Sequence, residues 1–559
     1  MTQAVNDLLE QHFDTAFAAP DGIAKLRELI LTLAMQGKLV EQDPNDSPAS
    51  ELLKEIEKEN QRLIAEKKIK KQKPSLPIKP EEVPYELPQG WEWVRLGGVA
   101  EINGGYAFKS SQYTDDGVRV IRISDFDERG FKNDKVVRYP FSSELKSFQL
   151  EANNILMAMT GGTVGKSLLV KSMSEPMVVN QRVATIKVYS QVLSDYINGL
   201  IRTRLIQSAI QSAKNSTNDN ISMSDITGFM VPLPPFSEQH RIVARIDQLM
   251  KRCDELEKLR KDREEKRLKV HAAAIKQLLD APENTGWPFI QQQFGELYTV
   301  KENVAELRKA ILQLAVMGRL VPQDPNDSPA SELLKEIEKE NQRLIAEKKI
   351  KKQKPSLPIK LEEVPYLLPR GWAWVRVEDV FNTTSGTTFD AALEKEAGSY
   401  AYVKVGDMNL QGNELVIETS SRYVDPDEKM LRSLISTGSV IFPKRGGAIA
   451  TNKKRIIRNP VFVDLNIMAI TPIFGVLTEY AYLWLSTLDL ALLNTGTSVP
   501  QINHKDIDPL PFPIPPLAEQ HRIVARIDQL MALCDKLDSQ IDAATNKQDV
   551  LLNAVMARV

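Results

Sequence analysis

Residues Gln42–Lys79 recur without a single change as Gln323–Lys360, 281 positions later in a chain of 559. No other feature constrains the fold as strongly, because an internal repeat fixes the architecture before any element is assigned. The match extends with substitutions from Ala24–Arg95 to Ala305–Arg376. Glu238–Met250 returns as Glu519–Met531 at the same offset. Cys253 and Cys534, the only two cysteines, are also 281 residues apart. They read as equivalent buried thiols, not as a disulfide or a metal pair.

Between the repeated blocks the sequence has diverged. Trp91–Pro235 and Trp372–Pro516 share their beginnings, Gly90-Trp91-Glu92-Trp93-Val94-Arg95 and Gly371-Trp372-Ala373-Trp374-Val375-Arg376. They also share their ends, Val231-Pro232-Leu233-Pro234-Pro235 and Phe512-Pro513-Ile514-Pro515-Pro516. Little identity survives inside. Uniform drift after a duplication does not leave 38 residues untouched beside modules that scarcely align. One shared partner surface and two different targets explain the contrast better. The expected domains are residues 1–90 (scaffold helices and linker), 91–235 (first module), 236–371 (central scaffold), 372–516 (second module) and 517–559 (final scaffold helix).

The scaffold blocks read as helices. Ile523, Ile527, Leu530, Cys534, Leu537, Ile541, Ala544, Leu551 and Val555 follow 4-3 spacing with a gap at Gln548, a coiled-coil-like seam. The central copy begins identically with Ile242, Ile246, Leu249, Cys253 and Leu256. It then places Arg260, Arg263 and Arg267 in the seam before Val270 and Ala274, which points to a middle that is solvated or meets a partner. Shorter helices are predicted at Ile23–Gln36 and Val304–Met317, with Gly37 and Gly318 as their C′ residues. Ser47 and Ser328, each before a proline, read as N-caps of charged helices that run to about Lys70 and Lys351.

Within the modules, Val118–Ile123, Val183–Val188, Tyr400–Val405 and Met468–Phe474 read as strands. Asp195–Ala213 and Glu479–Leu493 read as amphipathic helices capped by Ser194 and Thr478. The expected fold class is α+β. Two mixed α/β modules are separated by long antiparallel coiled-coil-like helices in a pseudo-two-fold circular arrangement. The C-terminal helix lies beside the N-terminal one.

A search for chemistry finds little. Gly161-Gly162-Thr163-Val164-Gly165-Lys166-Ser167 resembles a phosphate loop, but three residues separate its first Gly from the Gly-Lys pair where that loop needs four. A Gly-Gly turn is the better reading. Asn459-Pro460-Val461-Phe462 reads as a strand lead-in and Pro426-Asp427-Glu428-Lys429 as a solvated turn. None of the five histidines, His12, His240, His271, His504 and His521, lies in a ligand motif. No catalytic or metal residues are assigned. Met1–Gln11 carries Asp7 and Glu10 and reads as no secretory leader, and no stretch suits a membrane span, so a cytoplasmic protein is expected.

Lys+Arg number 72 against 74 Asp+Glu, so the chain is no polycation and any nucleic-acid role must rest on local patches. Lys444, Arg445, Lys453, Lys454, Arg455 and Arg458 fall close together with no acid among them. Such residues supply the sequence-independent part of DNA affinity. The first module is weaker there, with Lys166, Lys171, Arg182 and Lys187 against Glu175. The lysine runs Lys67–Lys73 and Lys348–Lys354 abut acidic stretches and read as solvated helix ends. The modules carry 16 basic against 14 acidic residues and 13 against 16, which suits selective clefts better than a charged coat.

In this layout the chain resembles the specificity subunits of type I DNA restriction-modification systems. The resemblance rests on the Gly-Trp-x-Trp beginning, the Pro-Leu-Pro-Pro and Pro-Ile-Pro-Pro ends, and the helix start Glu-Gln-His-Arg-Ile-Val. It rests also on Asn220-Ile221-Ser222-Met223-Ser224-Asp225-Ile226 and Gln501-Ile502-Asn503-His504-Lys505-Asp506-Ile507. It covers essentially the whole chain. It implies two target-recognition domains, each reading half of a split DNA sequence, and helical spacers that dock two adenine methyltransferase subunits. It implies motor-nuclease subunits as well. S-adenosylmethionine, ATP and Mg2+ would belong to those partners and not to this chain, which would be non-catalytic.

Under that reading the modules address base edges in the major groove, where all four pairs are distinguishable. A rigid spacer sets the half-sites about 34 Å apart, one DNA turn. Tyr106, Lys109 and Arg122 are candidate readers in the first module, with Thr387, Phe389 and Lys404 as approximate counterparts. Phe108 and Phe389 are repeat equivalents and equally suit core packing. Candidate partner-binding residues are Glu238, His240, Arg241 and Arg245, with Glu519, His521, Arg522 and Arg526. Two alternatives stand beside this reading: a coiled-coil scaffold whose twin modules bind proteins, and an enzyme with a degenerate phosphate loop.

Overall fold

The computed structural model describes residues 13–66, 77–190, 192–214, 219–280, 286–347, 356–494 and 499–558. Two compact units form. One runs to Arg263 and takes in the chain from Ala544 onward; the other is Glu264–Ala543. The same architecture is built in both.

In the first unit, the strand Glu92–Arg95 pairs antiparallel with Met230–Leu233, so the two ends of the module close on each other. A four-stranded sheet follows, in the order Ala100–Gly104, Val183–Val188, Ile155–Ala158, Ser167–Leu169. A three-stranded sheet sets Val118–Ile121 between Val137–Tyr139 and Met177–Val179, the latter pair parallel. The second unit repeats this. Ala373–Arg376 pairs with Pro511–Ile514. The four-stranded order is Phe381–Ser385, Ile467–Pro472, Val440–Pro443, Arg455–Ile456. Tyr400–Val403 lies between Tyr423–Val424 and, in parallel, Phe462–Val463. Sequences that scarcely align therefore share one strand order.

Scaffold and module share a core. Met35, Leu52, Ile56 and Ile242 of the scaffold pack with Trp91, Ile155, Ile186, Tyr196 and Leu233 of the first module. In the second unit Leu333, Ile337, Ile523 and Cys534 join Trp372, Phe381, Phe442, Tyr480 and Phe512. The helix Gly22–Met35 ends as expected: Gly37 has φ 66°, and the amides of Gly37 and Lys38 donate to the carbonyls of Ala34 and Leu33, a Schellman closure. Gly318, after Lys301–Val316, repeats it with φ 70°.

The long helices are Phe236–Asp280 and Leu517–Arg558. Cys253 and Cys534 are both buried and free. Leu552 and Val555 of the final helix pack against Phe17, Leu29 and Leu33, so the C-terminal helix does complete the N-terminal scaffold. The central seam is not continuous, since Leu256 and Val270 are exposed while Ala274 and Leu278 are buried. Arg260 is exposed, as its place in the arginine stretch of the seam predicted. Its guanidinium donates to the carbonyls of Ala18 and Ala19, both at 2.8 Å.

Several local expectations are corrected. The charged helices are Ala49–Ala65 and Ala330–Ala346, and their N-caps are Pro48 and Pro329, not the preceding serines. Their first amides donate to the carbonyls of Gly90 and Gly371 at 2.8 Å. The helix expected over Asp195–Ala213 is two, Ser194–Ile201 and Arg204–Ala213. Thr203 Oγ1 donates to the Leu200 carbonyl and marks the break. Thr478–Thr487 likewise stops before a 3-10 turn at Leu490–Leu493. Ser194 and Thr478 are first residues of their helices, not caps. The amides just before them, of Leu193 and Leu477, donate to Gln239 and Gln520 of the scaffold at 3.0 and 2.8 Å.

Candidate nucleic-acid interface

The scaffold residues predicted to bind partners divide into two kinds. Glu238 is buried; it accepts from Trp91 Nε1 at 2.9 Å and from Gln42 Nε2 at 2.6 Å. Glu519 does the same with Trp372 and Gln323 at the same distances. Burial pushes the pKa of both carboxyls up, and the donated hydrogen bonds pull the other way. Arg241 pairs with Asp46 at 2.6 Å, and Arg522 with Asp327 at 2.5 Å. The two glutamates join scaffold to module and are withdrawn from a partner, whereas the two arginines join scaffold segments to each other and stay part-exposed. His240, Arg245, His521 and Arg526 are exposed.

The predicted DNA contacts divide similarly. Tyr106 is half-buried against a small core, its ring edge-on to Phe108 and Phe148. Phe389 packs on Tyr402 and Phe462. Arg122 is taken up by Asp125, at 2.8 and 2.9 Å, and by the Lys135 carbonyl. Lys404 is taken up by Glu394. Lys166 is half-buried, 6.0 Å from the centre of the Phe126 ring. Lys171 lies 3.2 Å from Asp195.

In the basic cluster, Lys454 and Arg455 are buried. Lys454 Nζ donates to Asn452 and to the Leu488 carbonyl, and burial lowers its pKa to about 8. Arg455 donates to the carbonyls of Lys454 and Met408. Both brace the second module internally, so neither meets a ligand as the cluster predicted. Lys453 bonds Asn409. Lys109, Arg182, Arg445 and Arg458 are exposed. The lysine runs at 67–73 and 348–354 lie outside the described residues. The Gly161–Thr163 turn leads into the strand Ser167–Leu169, not into the helix that a phosphate loop requires.

One cluster in the second module was not found from sequence. Lys444 Nζ donates to Ser385 Oγ at 2.8 Å, and Ser385 Oγ lies 3.0 Å from His504 Nε2. His504 Nδ1 lies 3.0 Å from Thr383 Oγ1, which donates to Asp508 at 2.7 Å. The residues come from the strand Phe381–Ser385, from the segment after Val440–Pro443, and from the short helix His504–Ile507 with Asp508 just beyond it. Arg445 and Lys505 stand exposed beside it. The sequence names Lys444 in the basic cluster and Gln501–Ile507 as a polar stretch, but nothing in it joins the two.

A family model described as the type I restriction modification DNA specificity domain matches residues 88–265 and again residues 369–546. The two matches are displaced by the 281 residues of the internal repeat. The chain belongs to the type I restriction-modification specificity subunits. It is a DNA-recognition subunit and is non-catalytic.

This specificity subunit is 31% identical over 576 residues to the type I restriction enzyme EcoAI specificity subunit of Escherichia coli, covering 96% of this chain and 93% of that protein. To the EcoEI specificity subunit of Escherichia coli it is 30% identical over 565 residues, with the same coverage. Among solved structures it is similar to the HsdS subunit of Thermoanaerobacter tengcongensis, with a TM-score of 0.47, 17% identity, and coverage of 85% of this chain and 98% of that one. Among the described residues of this specificity subunit, no group of three or more His, Cys, Asp or Glu is placed to hold a metal ion. None of its described helices is long and apolar enough to cross a membrane.

Proposed function

We propose that Trp91–Pro235 and Trp372–Pro516 are two target-recognition domains, which read the two halves of a split, non-palindromic DNA sequence. One observation carries this reading: a common strand order supports two unlike sets of surface side chains. Equal folds provide equivalent docking on the duplex, and unlike side chains select different bases. Exposed Arg182, Arg445 and Arg458 supply phosphate contacts that set register.

The scaffold holds two copies of one methyltransferase subunit, with motor-nuclease subunits joining them. Support comes from exposed helix faces that are identical in both repeats: His240, Arg245, Asp247 and Gln248 in one, and His521, Arg526, Asp528 and Gln529 in the other. Each partner copy meets the same side chains. This chain takes no cofactor; S-adenosylmethionine, ATP and Mg2+ are used by the partners, and the complex works in the cytoplasm.

The test is a gel-shift selection from a random duplex pool with the partner methyltransferase present. Enrichment of one split sequence supports the proposal. Enrichment of none overturns it in favour of a protein-binding scaffold.

A further inference from the structure

We propose that Lys444 is a specificity-determining base contact of the second module, positioned by a chain through Ser385, His504, Thr383 and Asp508. Its target is a base edge rich in hydrogen-bond acceptors, guanine first. The inference rests on DNA recognition by the module and names the residue and the kind of base.

With His504 as a neutral imidazole, the chain has one consistent direction for its protons. An ammonium only donates, so Ser385 Oγ accepts from Lys444. The Ser385 hydroxyl then donates to His504 Nε2, which places the ring proton on Nδ1, facing Thr383 Oγ1. Thr383 donates to Asp508, a carboxylate that only accepts. Among the described residues Lys444 thus uses one of its three donors within the chain, which leaves two for a ligand. Guanine presents O6 and N7 together in the major groove, and lysine and arginine are their commonest partners. The half-buried Lys444 ammonium has its pKa lowered by burial and by Arg445 alongside, so it gains by meeting acceptors.

The first module builds the same strand order without this chain. The amide of Ile502 donates to the Lys444 carbonyl at 2.8 Å, and that of Ile221 donates to the Met159 carbonyl at 3.0 Å. The amides of Lys444 and Met159 donate in turn to the carbonyls of Asn466 and Arg182. Met159 therefore occupies the place of Lys444. By the same strand register and the 281 offset, Gly104 stands for Ser385, Met223 for His504, Ile102 for Thr383 and Thr227 for Asp508. A Cβ on Gly104 would come 4.0 Å from Met223 Sδ, and Ile102, Met159 and Met223 pack against one core. An apolar cluster seats the short helix Met223–Thr227 in the same position. Lys444, Ser385, His504 and Thr383 of one module are exchanged for Met159, Gly104, Met223 and Ile102 of the other, while Asp508 is exchanged for Thr227, whose hydroxyl donates to the Met223 carbonyl. Side chains such as Met159 and Met223 suit a thymine methyl instead.

The test compares Lys444→Met, Lys444→Arg and Ser385→Ala with wild type, each assembled with its partner subunits. Selection from a duplex pool is read position by position, with thermal melting as a check on folding. Lys444→Met is expected to lose roughly tenfold or more of the guanine preference at one position of one half-site. The other half-site stays as it was. Lys444→Arg keeps the preference, and Ser385→Ala weakens it. An unchanged consensus in Lys444→Met overturns the assignment. So does a uniform loss across all sequences with a salt slope lower by about 1, the mark of a phosphate contact. A wild-type complex that enriches no sequence overturns the recognition reading itself.

Discussion

The indole Nε1 of Trp91 donates to Glu238 Oε2 at 2.9 Å, joining the first residue of a module to the first turn of the scaffold helix that follows it. Trp372 and Glu519 repeat the bond at 2.9 Å. Both partners of each pair are buried. Glu238→Ala leaves the Trp91 N–H buried without an acceptor and is expected to cost about 1–3 kcal/mol. Hydrogen exchange on the full chain checks this. Protection should fall in the first unit and stay unchanged over 264–543. Equal losses in both units, or none, would show that the bond does not tie module to scaffold.

His271 offers a contrast between the two units. It is buried against Tyr298 in the second unit, and among the described residues neither its Nε2 nor the Tyr298 hydroxyl has a hydrogen-bond partner. The equivalents in the first unit, Leu552 and Phe17, are apolar. His271→Leu should therefore stabilise the second unit by about 1–2 kcal/mol. Burial, and to a smaller extent Arg267, lowers the imidazole pKa from its ordinary 6.5, against Glu306, which raises it. A base with a depressed folded pKa is protonated first in the unfolded chain. Its stability is complete above about 6.5 and falls as pH drops through that value and on through the lower folded pKa. Urea unfolding at pH 7.5 and 5.5 should show this loss in wild type and a smaller one in His271→Leu. Equal losses would contradict it.

Independent reading by the modules makes exchange possible. Replacing Trp91–Pro235 by another such module, joined through the paired strands Glu92–Arg95 and Met230–Leu233, should change one half-site and leave the other intact. If both halves changed in a binding selection, the modules would not read separately.

The helix Phe236–Asp280 is unbroken over 45 residues. Deleting one or two turns between Ile242 and Ala274 removes about 5–11 Å of rise. The permitted spacer between half-sites should shorten, or binding should be lost. A spacer of unchanged length would exclude the helix as the ruler.

The sequence showed most where signals were local or repeated. The 281 offset revealed the double architecture, and Gly37 and Gly318 marked true helix ends. The strand Val183–Val188 was legible from its β-branched run. What stayed hidden depends on residues far apart in the chain. Gln239 meets the amide of Leu193 from 46 positions away, so the sequence suggested Ser194 as a local cap instead. A count of basic residues could not tell exposed Arg445 from Lys454, which is buried on the Leu488 carbonyl. Ser385 and His504 are 119 residues apart, and only the sheet brings them together.

Mapping adenine methylation across host DNA, with and without this chain, tests the central claim most directly. The account predicts a methylated motif that appears only with the chain and consists of two unlike half-sites separated by a fixed unspecified spacer. A palindromic or unsplit motif, or a methylation pattern that does not depend on the chain, would contradict it.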